Sequence, residues 1–245
     1  MPEFESHRSY HHFKNEVLNK SRYVRSERAR AFLQALTETA SDRVGKLNEG
    51  HRFWRAQKGV KEGVREGPDG KAKKPKPHPE ERMKPRENKA EEGRANPKGF
   101  SYLYVTDSKQ TAVTEVRPWA GSWVTVAVLR TTKDLCVVYC STENSREDYN
   151  TVYLEEPPLE ERDDLVWRDI DRAFSRPVTR SDDTATYAPT QIIAERFKQE
   201  GYDGIVYRSS LAGGHNVVLF DPKAAEVQQR QVVEVNSIDV GFQAV

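Results

Sequence analysis

The chain has 245 residues, of which 36% are hydrophobic and 31% charged, and its formal net charge is +1. This near balance of charge argues against a protein built around a nucleic-acid-binding surface. No apolar run is long enough to span a membrane, and the N-terminus lacks the basic and apolar regions of a secretory signal. We therefore expect a cytoplasmic protein that does not bind membranes and has no dedicated nucleic-acid-binding surface, which leaves a local basic patch open.

Helical periodicity dominates the first part of the chain. Apolar residues recur at three- and four-residue steps between positions 29 and 47, Ser26 is a suitable N-cap, and Gly50 supplies a stop. A weaker pattern of the same kind covers residues 10–24. We predict that residues 1–50 form a helical N-terminal extension, ahead of one larger domain at residues 51–245.

A charged insertion interrupts that domain soon after a short predicted strand at residues 52–57. Between residues 59 and 93 there is hardly a large apolar side chain, and Pro, Lys and Glu are mixed. Such a composition buries too little surface to offset the entropy of the chain. We predict that residues 59–93 are largely disordered and form a mobile flap. A nucleic-acid-binding arm is the alternative, but the segment has no aromatic side chain to stack on a base.

The remainder of the chain alternates between predicted strands and helices. Asp107 is a candidate cap for a short helix, with Gln110 three residues later as in a capping box, and Glu115 falls near its last turn. This order of elements predicts an α+β fold with a mixed, mostly antiparallel sheet. The predicted strands are residues 100–105, 123–129, 135–139, 205–208 and 216–220, with further extended segments between Val227 and Val240, and the later predicted helices are residues 159–174 and 189–201.

Two charged residues, Glu115 and Arg55, occupy positions that helix and strand preferences alone do not explain. A carboxylate in the last turn of a helix meets the negative end of the macrodipole, at a cost of about 0.3–1 kcal/mol, so something else should hold Glu115 there. A surface ion pair with Arg117 or Lys109 is the plain alternative. Arg55 shares a strand face with Phe53, so its guanidinium either extends past the ring to solvent or meets an anion.

Three further polar residues have both a structural and a functional interpretation. Tyr104 shares a strand face with Tyr102 and is typical of a half-buried aromatic. Ser209 follows the strand at residues 205–208, where a serine usually caps a turn, and Asn216 lies close enough to Gly214 to stabilise one. Each of these residues, taken by itself, leaves both interpretations open.

In combination, these residues resemble the RES domain, a family named for an Arg, a Glu and a Ser. The resemblance covers about residues 52–222. The matching site positions are Arg55 for the family Arg, Tyr104 for its aromatic, Glu115 for its Glu, Ser209 for its Ser and Asn216 for the polar residue beyond. The runs at residues 93–97, 111–112 and 187–191 also resemble family signatures. Ser210 leaves the choice of serine open by one position, and the insertion at residues 59–93 departs from the family pattern.

The resemblance implies an enzyme that cleaves the bond between nicotinamide and ribose in NAD, on a core related to that of ADP-ribosyltransferase toxins. In that interpretation Glu115 orients the ribose and offsets positive charge at the anomeric carbon. Arg55 neutralises the pyrophosphate with help from Arg94, and Tyr104 offers a face for the nicotinamide ring.

Ser209 and Asn216 are then expected to bind a ribose hydroxyl or a phosphate. No metal and no bound cofactor are expected, since NAD is the substrate, and either inorganic phosphate or water is the acceptor. The resemblance further implies a toxin that an antitoxin of the helix-turn-helix Xre type holds inactive. Transfer of ADP-ribose to a macromolecule, or a non-catalytic interaction module that uses the basic residues 71–89, are the alternatives. The sequence leaves open whether the chain forms a homo-oligomer.

Overall fold

A computed structural model describes residues 3–67, 70–86, 90–141, 156–176 and 184–239. The helices are α1 (Ser9–Asn19), α2 (Glu27–Ala40), α3 (Lys109–Glu115), α4 (Leu159–Ser175) and α5 (Ala188–Gln199). The strands are β1 (Val44–Leu47), β2 (Arg52–Lys58), β3 (Lys61–Gly67), β4 (Gly70–Lys76), β5 (Leu103–Thr106), β6 (Trp123–Thr131), β7 (Leu135–Tyr139), β8 (Gly204–Arg208), β9 (His215–Leu219) and β10 (Ala225–Glu234). In this described part of the chain, no helix has both the length and the apolar character that a membrane crossing needs.

Eight of these strands form one sheet in the order β1-β7-β8-β9-β5-β2-β6-β10, and β3 and β4 form a separate hairpin. Within the described part of the large sheet, β7 and β8 pair in parallel and the other neighbours pair antiparallel. Helices pack against the sheet. The predicted α+β fold with a mixed, mostly antiparallel sheet is confirmed. Val240, at the end of the predicted extended segments, lies outside the described residues.

The N-terminal residues belong to the main core of the protein. Phe13 of α1 stacks on Phe32 of α2 with ring centroids 4.5 Å apart, and both are in the apolar cluster that contains Trp167 of α4 and Phe197 of α5. The indole nitrogen of Trp167 donates to the hydroxyl of Thr39 at 3.1 Å. These contacts fasten α1 and α2 to the helices that cover one face of the sheet.

The helical prediction for residues 1–50 is wrong from Val44 onward, after a short 3-10 turn at Ser41–Arg43. Ser26 caps α2 as expected, accepting from the N–H of Ala29 at 3.2 Å. The helix ends at Ala40, and β1 then pairs antiparallel with β7 at the edge of the sheet. The apolar spacing of residues 44–47 also fits a helix, but the backbone of this segment is satisfied by the neighbouring strand, a partner that helical periodicity does not reveal.

The prediction that residues 59–93 are disordered is wrong for most of the described part of this segment. β3 and β4 pair along their full length as an antiparallel hairpin, so their backbone groups bond to each other without needing a hydrophobic core. His78 is buried and its N–H donates to Thr125 at 3.1 Å. Met83 is fully buried in the second apolar cluster, on the other face of the sheet. Residues 68–69 and 87–89 lie outside the described residues.

Candidate active site

A cleft opens where the two halves of the large sheet meet. β5 and β2 are neighbours in the sheet, but a single residue pair, Trp54 with Thr106, joins them. Beside this junction lies a cleft with about 590 Å³ of empty space, part of it open to solvent. The residues that line it include Trp54, Arg55, Tyr104, Glu115, Tyr207 and Asn216.

Glu115 is the last residue of α3, and two polar side chains hold it there. Its Oε1 accepts from the hydroxyl of Ser209 and from the amide of Asn216, each at 2.7 Å. These bonds offset the unfavourable position of a carboxylate at a helix C-terminus. Oε2 of Glu115 makes no hydrogen bond with any of the residues that the structure describes. The carboxylate is therefore fixed by one oxygen and presents the other to the cleft.

Ser209, and not its neighbour Ser210, provides the hydroxyl that contacts Glu115. Ser209 comes directly after β8, and its Oγ also accepts from the N–H groups of Leu211 and Ala212, each at 3.2 Å. Because these two donors leave the hydroxyl proton for Glu115, the orientation of the Ser209 hydroxyl is determined from both sides. Ser210 is exposed.

A buried carboxylate anchors the end of β8. Asp171 of α4 is fully buried, and it accepts from the backbone N–H of Arg208 at 3.0 Å and from its Nε at 2.8 Å. The hydroxyl of Ser175, one helical turn further on, donates to the carbonyl of Arg208 at 2.7 Å. Arg208 immediately precedes Ser209, so α4 fixes the strand end that carries the serine hydroxyl. The sequence analysis did not identify Asp171, although a charged residue between Ile170 and Phe174 on a buried helix face is unusual.

The turn between β8 and β9 is bound to the start of α3. The hydroxyl of Thr111 donates to the carbonyl of Gly213 at 2.8 Å. Gly214 has a φ of +114°, and a Cβ built there would lie 2.7 Å from Oδ1 of Asp107 and 2.8 Å from Oγ1 of Thr111. Only glycine satisfies both conditions. This attachment brings Asn216, at the start of β9, within reach of Glu115.

The predicted capping role of Asp107 is wrong. Ser108 caps α3 by accepting from the N–H of Thr111 at 3.0 Å. The carboxylate of Asp107 instead accepts from the backbone N–H of His215 at 2.9 Å and contacts its ring at 3.0 Å. Burial raises the pKa of Asp107, but the hydrogen bonds from His215 outweigh burial and leave the pKa lower than usual. The carboxylate therefore ties β9 to the loop before α3.

Arg55 brings a half-buried positive charge to the opposite side of the cleft. One terminal nitrogen of its guanidinium donates to the carbonyl of Tyr104, whereas its Nε is buried without a hydrogen-bond partner among the described residues. None of the ion pairs found among those residues involves Arg55. Burial lowers the pKa of Arg55 to about 10. A half-buried cation with an unpartnered, enclosed Nε is suited to binding an anion.

Tyr104 lines the cleft with its ring and is bound to the protein through its hydroxyl. The hydroxyl donates to Oδ1 of Asn96 at 2.7 Å and accepts from the N–H of Ala95 at 3.1 Å. Burial raises the pKa of Tyr104 above its usual range. A Cβ at Gly93 would lie 2.6 Å from this hydroxyl, which explains why glycine begins the loop at residues 93–97.

The structure does not bring Arg94 to the cleft. Its guanidinium donates to the carbonyl of Ala173 at 2.9 Å and lies 5.6 Å from the ring centroid of Tyr187. Arg94 is absent from the residues described as lining the cleft. These contacts tie the loop at residues 93–97 to α4 and α5, and the arginine that faces the cleft is Arg55.

Tyr207 is a cleft residue that the sequence analysis missed. It is in β8, directly opposite Asn216 of β9, so the two side chains share a face of the sheet. The two strands that flank the Gly213-Gly214 turn could have indicated that Tyr207 lies opposite Asn216. A tyrosine within an apolar strand is, however, more often a core residue.

A carboxylate held by neutral donors and a half-buried arginine in one cleft are typical of an enzyme site. The family model of the RES domain matches residues 64–239. The chain therefore belongs to the RES domain family. No curated protein matches the chain. Among solved structures, it is similar to a chain in the crystal structure of the M. tuberculosis MbcT–MbcA toxin–antitoxin complex, with 14% identity, a TM-score of 0.44, and coverage of 81% of this chain and 92% of that chain.

Proposed function

We propose that this RES protein degrades NAD by breaking the bond between nicotinamide and its ribose. One observation carries the proposal: Arg55, a half-buried cation with an enclosed Nε and no carboxylate partner among the described residues, shares a cleft with Glu115, a fixed carboxylate with one unbonded oxygen. NAD supplies what each residue lacks. Its pyrophosphate is an anion for Arg55, and its nicotinamide ribose develops positive charge that Glu115 stabilises.

The reaction needs little acid catalysis. When the bond between the anomeric carbon and the ring nitrogen breaks, its electron pair goes to the nitrogen, and the cationic pyridinium becomes neutral nicotinamide. The barrier is then the formation of the oxocarbenium-like sugar, which a carboxylate beside the anomeric carbon stabilises. The donors Ser209 and Asn216 fix Glu115 before the substrate arrives, so no reorganisation is required in the transition state.

The roles of the other residues follow from the directions of their polar groups. Ser209 and Asn216 act on the substrate through Glu115, because the hydroxyl and the amide are already bonded to its carboxylate. Tyr104 presents its ring to the nicotinamide, since its hydroxyl is bonded to Asn96. The acceptor that completes the reaction is water, which gives ADP-ribose, or inorganic phosphate, which gives ADP-ribose 1″-phosphate.

We further propose that the protein is a toxin controlled by an antitoxin of the Xre type. Loss of NAD stops growth in any cell, so an open cleft of this kind must be blocked until it is needed. Expression of the chain alone should arrest growth and lower cellular NAD. Coexpression of the antitoxin should restore both.

The test is to incubate the purified chain with NAD, with and without inorganic phosphate, and to identify the products by mass. Release of nicotinamide with ADP-ribose indicates hydrolysis, and the phosphorylated product indicates phosphorolysis. A mass increase equal to ADP-ribose on an added protein or nucleic acid, without a small ADP-ribose product, would favour ADP-ribosyl transfer. Intact NAD under both conditions would reject an NAD-degrading function and would favour the non-catalytic interaction module.

A further inference from the structure

Tyr207 lines the same cleft as the proposed catalytic carboxylate, Glu115, and lies close enough for that carboxylate to influence it electrostatically. The residue is only 5% exposed, and its ring packs against Phe174 of α4 with centroids 5.5 Å apart. Its strand partner is Asn216, which donates to Glu115. Tyr207 is thus held by the core on one side and faces the cleft on the other.

The hydroxyl of Tyr207 makes no hydrogen bond with any residue in the described part of the chain. Tyrosine hydroxyls in the interior usually have a partner, because a polar group taken out of water without one is unfavourable. The Tyr207 hydroxyl is not among the enclosed side-chain atoms without a partner, so it reaches the open space of the cleft. Tyr104, the other tyrosine that lines the cleft, obeys this rule through Asn96 and Ala95. The difference indicates that the partner of Tyr207 is a molecule that enters the cleft.

The nearest polar groups determine what that molecule must offer. Oε2 of Glu115 has no protein donor among the described residues, so it needs a donor from the ligand, whereas a phenol beside a carboxylate is best used as a donor that needs an acceptor. A sugar hydroxyl is both: its proton goes to the carboxylate and its oxygen accepts from the phenol. A carbonyl or a phosphate oxygen would satisfy only Tyr207.

We propose that Tyr207 binds the substrate directly, donating a hydrogen bond to the same hydroxyl of the nicotinamide ribose that donates to Glu115. This inference rests on the proposed NAD-degrading function and adds a contact within the same site. Burial, with Tyr104 and Glu115 nearby, raises the pKa of Tyr207 well above its usual value. The phenol therefore keeps its proton and remains a donor at neutral pH.

Tyr207→Phe removes the hydroxyl and keeps the ring against Phe174. We expect kcat/KM for NAD to fall about 10-fold, the effect of losing one hydrogen bond in a desolvated site. The melting temperature without NAD should stay the same or rise, because the hydroxyl makes no bond to the described protein. Tyr102→Phe is the matched control: Tyr102 is equally buried, but it packs against Phe220 and is not among the residues that line the cleft.

The decisive measurement combines these variants with two NAD analogues, each lacking one hydroxyl of the nicotinamide ribose. If Tyr207 bonds to one of these hydroxyls, wild type should discriminate against the analogue that lacks it, and Tyr207→Phe should discriminate about 10-fold less. Equal discrimination by both proteins, or wild-type turnover of NAD by Tyr207→Phe, would overturn the inference while leaving the NAD function in place. If wild type itself leaves NAD intact, the proposed function fails first, and this inference fails with it.

Discussion

The two walls of the cleft differ in how their polar groups are satisfied. On the Glu115 wall, formed by Glu115, Ser209 and Asn216, the side chains bond to one another. On the Arg55 wall, formed by Arg55 and Tyr104, the arginine has one bond to a carbonyl and a buried Nε without a partner among the described residues. The first wall is organised in the absence of substrate. The second wall holds a half-buried charge with one carbonyl partner, and a bound anion would offset the remaining cost of its desolvation.

The largest effect should come from the Glu115 wall. Glu115→Gln keeps an oxygen that accepts from Ser209 and Asn216, but it removes the charge that stabilises the oxocarbenium ion. We expect kcat to fall by about 10²–10³, the scale for losing an electrostatic contact made in the transition state, with Kd for NAD within a few-fold of wild type. Turnover assays and a binding titration on the same preparation check this. Wild-type turnover in the variant would remove Glu115 from the mechanism.

The next effect concerns the Arg55 wall and should appear in binding. Arg55→Ala should weaken NAD binding by about 2–4 kcal/mol, or roughly 30- to 900-fold in Kd, because the pyrophosphate is charged in the ground and transition states alike. Arg55→Lys should recover part of this loss, since an ammonium lacks the forked donors of a guanidinium.

The same position also tests whether the half-buried charge is costly in the free protein. Arg55→Met fills similar space without a charge, so the melting temperature of the protein without NAD should remain near that of wild type or rise. A clear drop in the melting temperature would mean that Arg55 is a structural residue, and the contrast between the two walls would be lost.

Ser209→Ala should give a smaller effect on the Glu115 wall. It removes one of the two donors to Oε1, and a hydrogen bond to a charged group is worth about 1.5–3 kcal/mol, so kcat should fall at least about 10-fold. Ser210→Ala is the control, because Ser210 is exposed and should tolerate the change. Equal losses in both variants would indicate that the turn, and not the hydroxyl, matters.

The smallest effect is expected from the hairpin, which belongs to neither wall. Lys61 and Lys76 are paired across β3 and β4, so a short Gly-Ser turn can replace residues 62–75. We expect the melting temperature and the turnover of NAD to stay close to those of wild type. Met83→Ala, in the same stretch of sequence, should lower the free energy of unfolding by about 2–5 kcal/mol, because that side chain is fully buried. Loss of NAD turnover on trimming would show that the hairpin contributes to the cleft.

The candidate site was predictable where a residue conflicted with its own local structure. Glu115 at the end of α3 needed a partner, and the polar residues around Gly213 supplied it across 94 and 101 positions of sequence. Tyr207 does not conflict with its own strand, and Asp171 stands out only as a charge on a buried helix face. Their importance depends on which strand or helix end they face, and periodicity within one element does not contain that information.

The wrong predictions about the fold also arise from partners in other elements, which the local sequence pattern does not show. The helical spacing that continues past Ala40 is real, but pairing with β7 decides the structure of Val44–Leu47. In the 59–93 segment, composition correctly indicates that little apolar surface is available. It does not indicate that a hairpin can satisfy its own backbone, or that the buried residues His78 and Met83 can fasten the chain beyond the hairpin to the rest of the protein.

The single pair between Trp54 and Thr106 has a mechanical consequence. Elsewhere in the large sheet, each strand is held to its neighbour by three or more residue pairs, so this junction is its weakest seam. Spreading β2 from β5 breaks few backbone hydrogen bonds, and the strands on either side remain intact. A change in the width of the cleft would therefore break the fewest backbone hydrogen bonds at this junction.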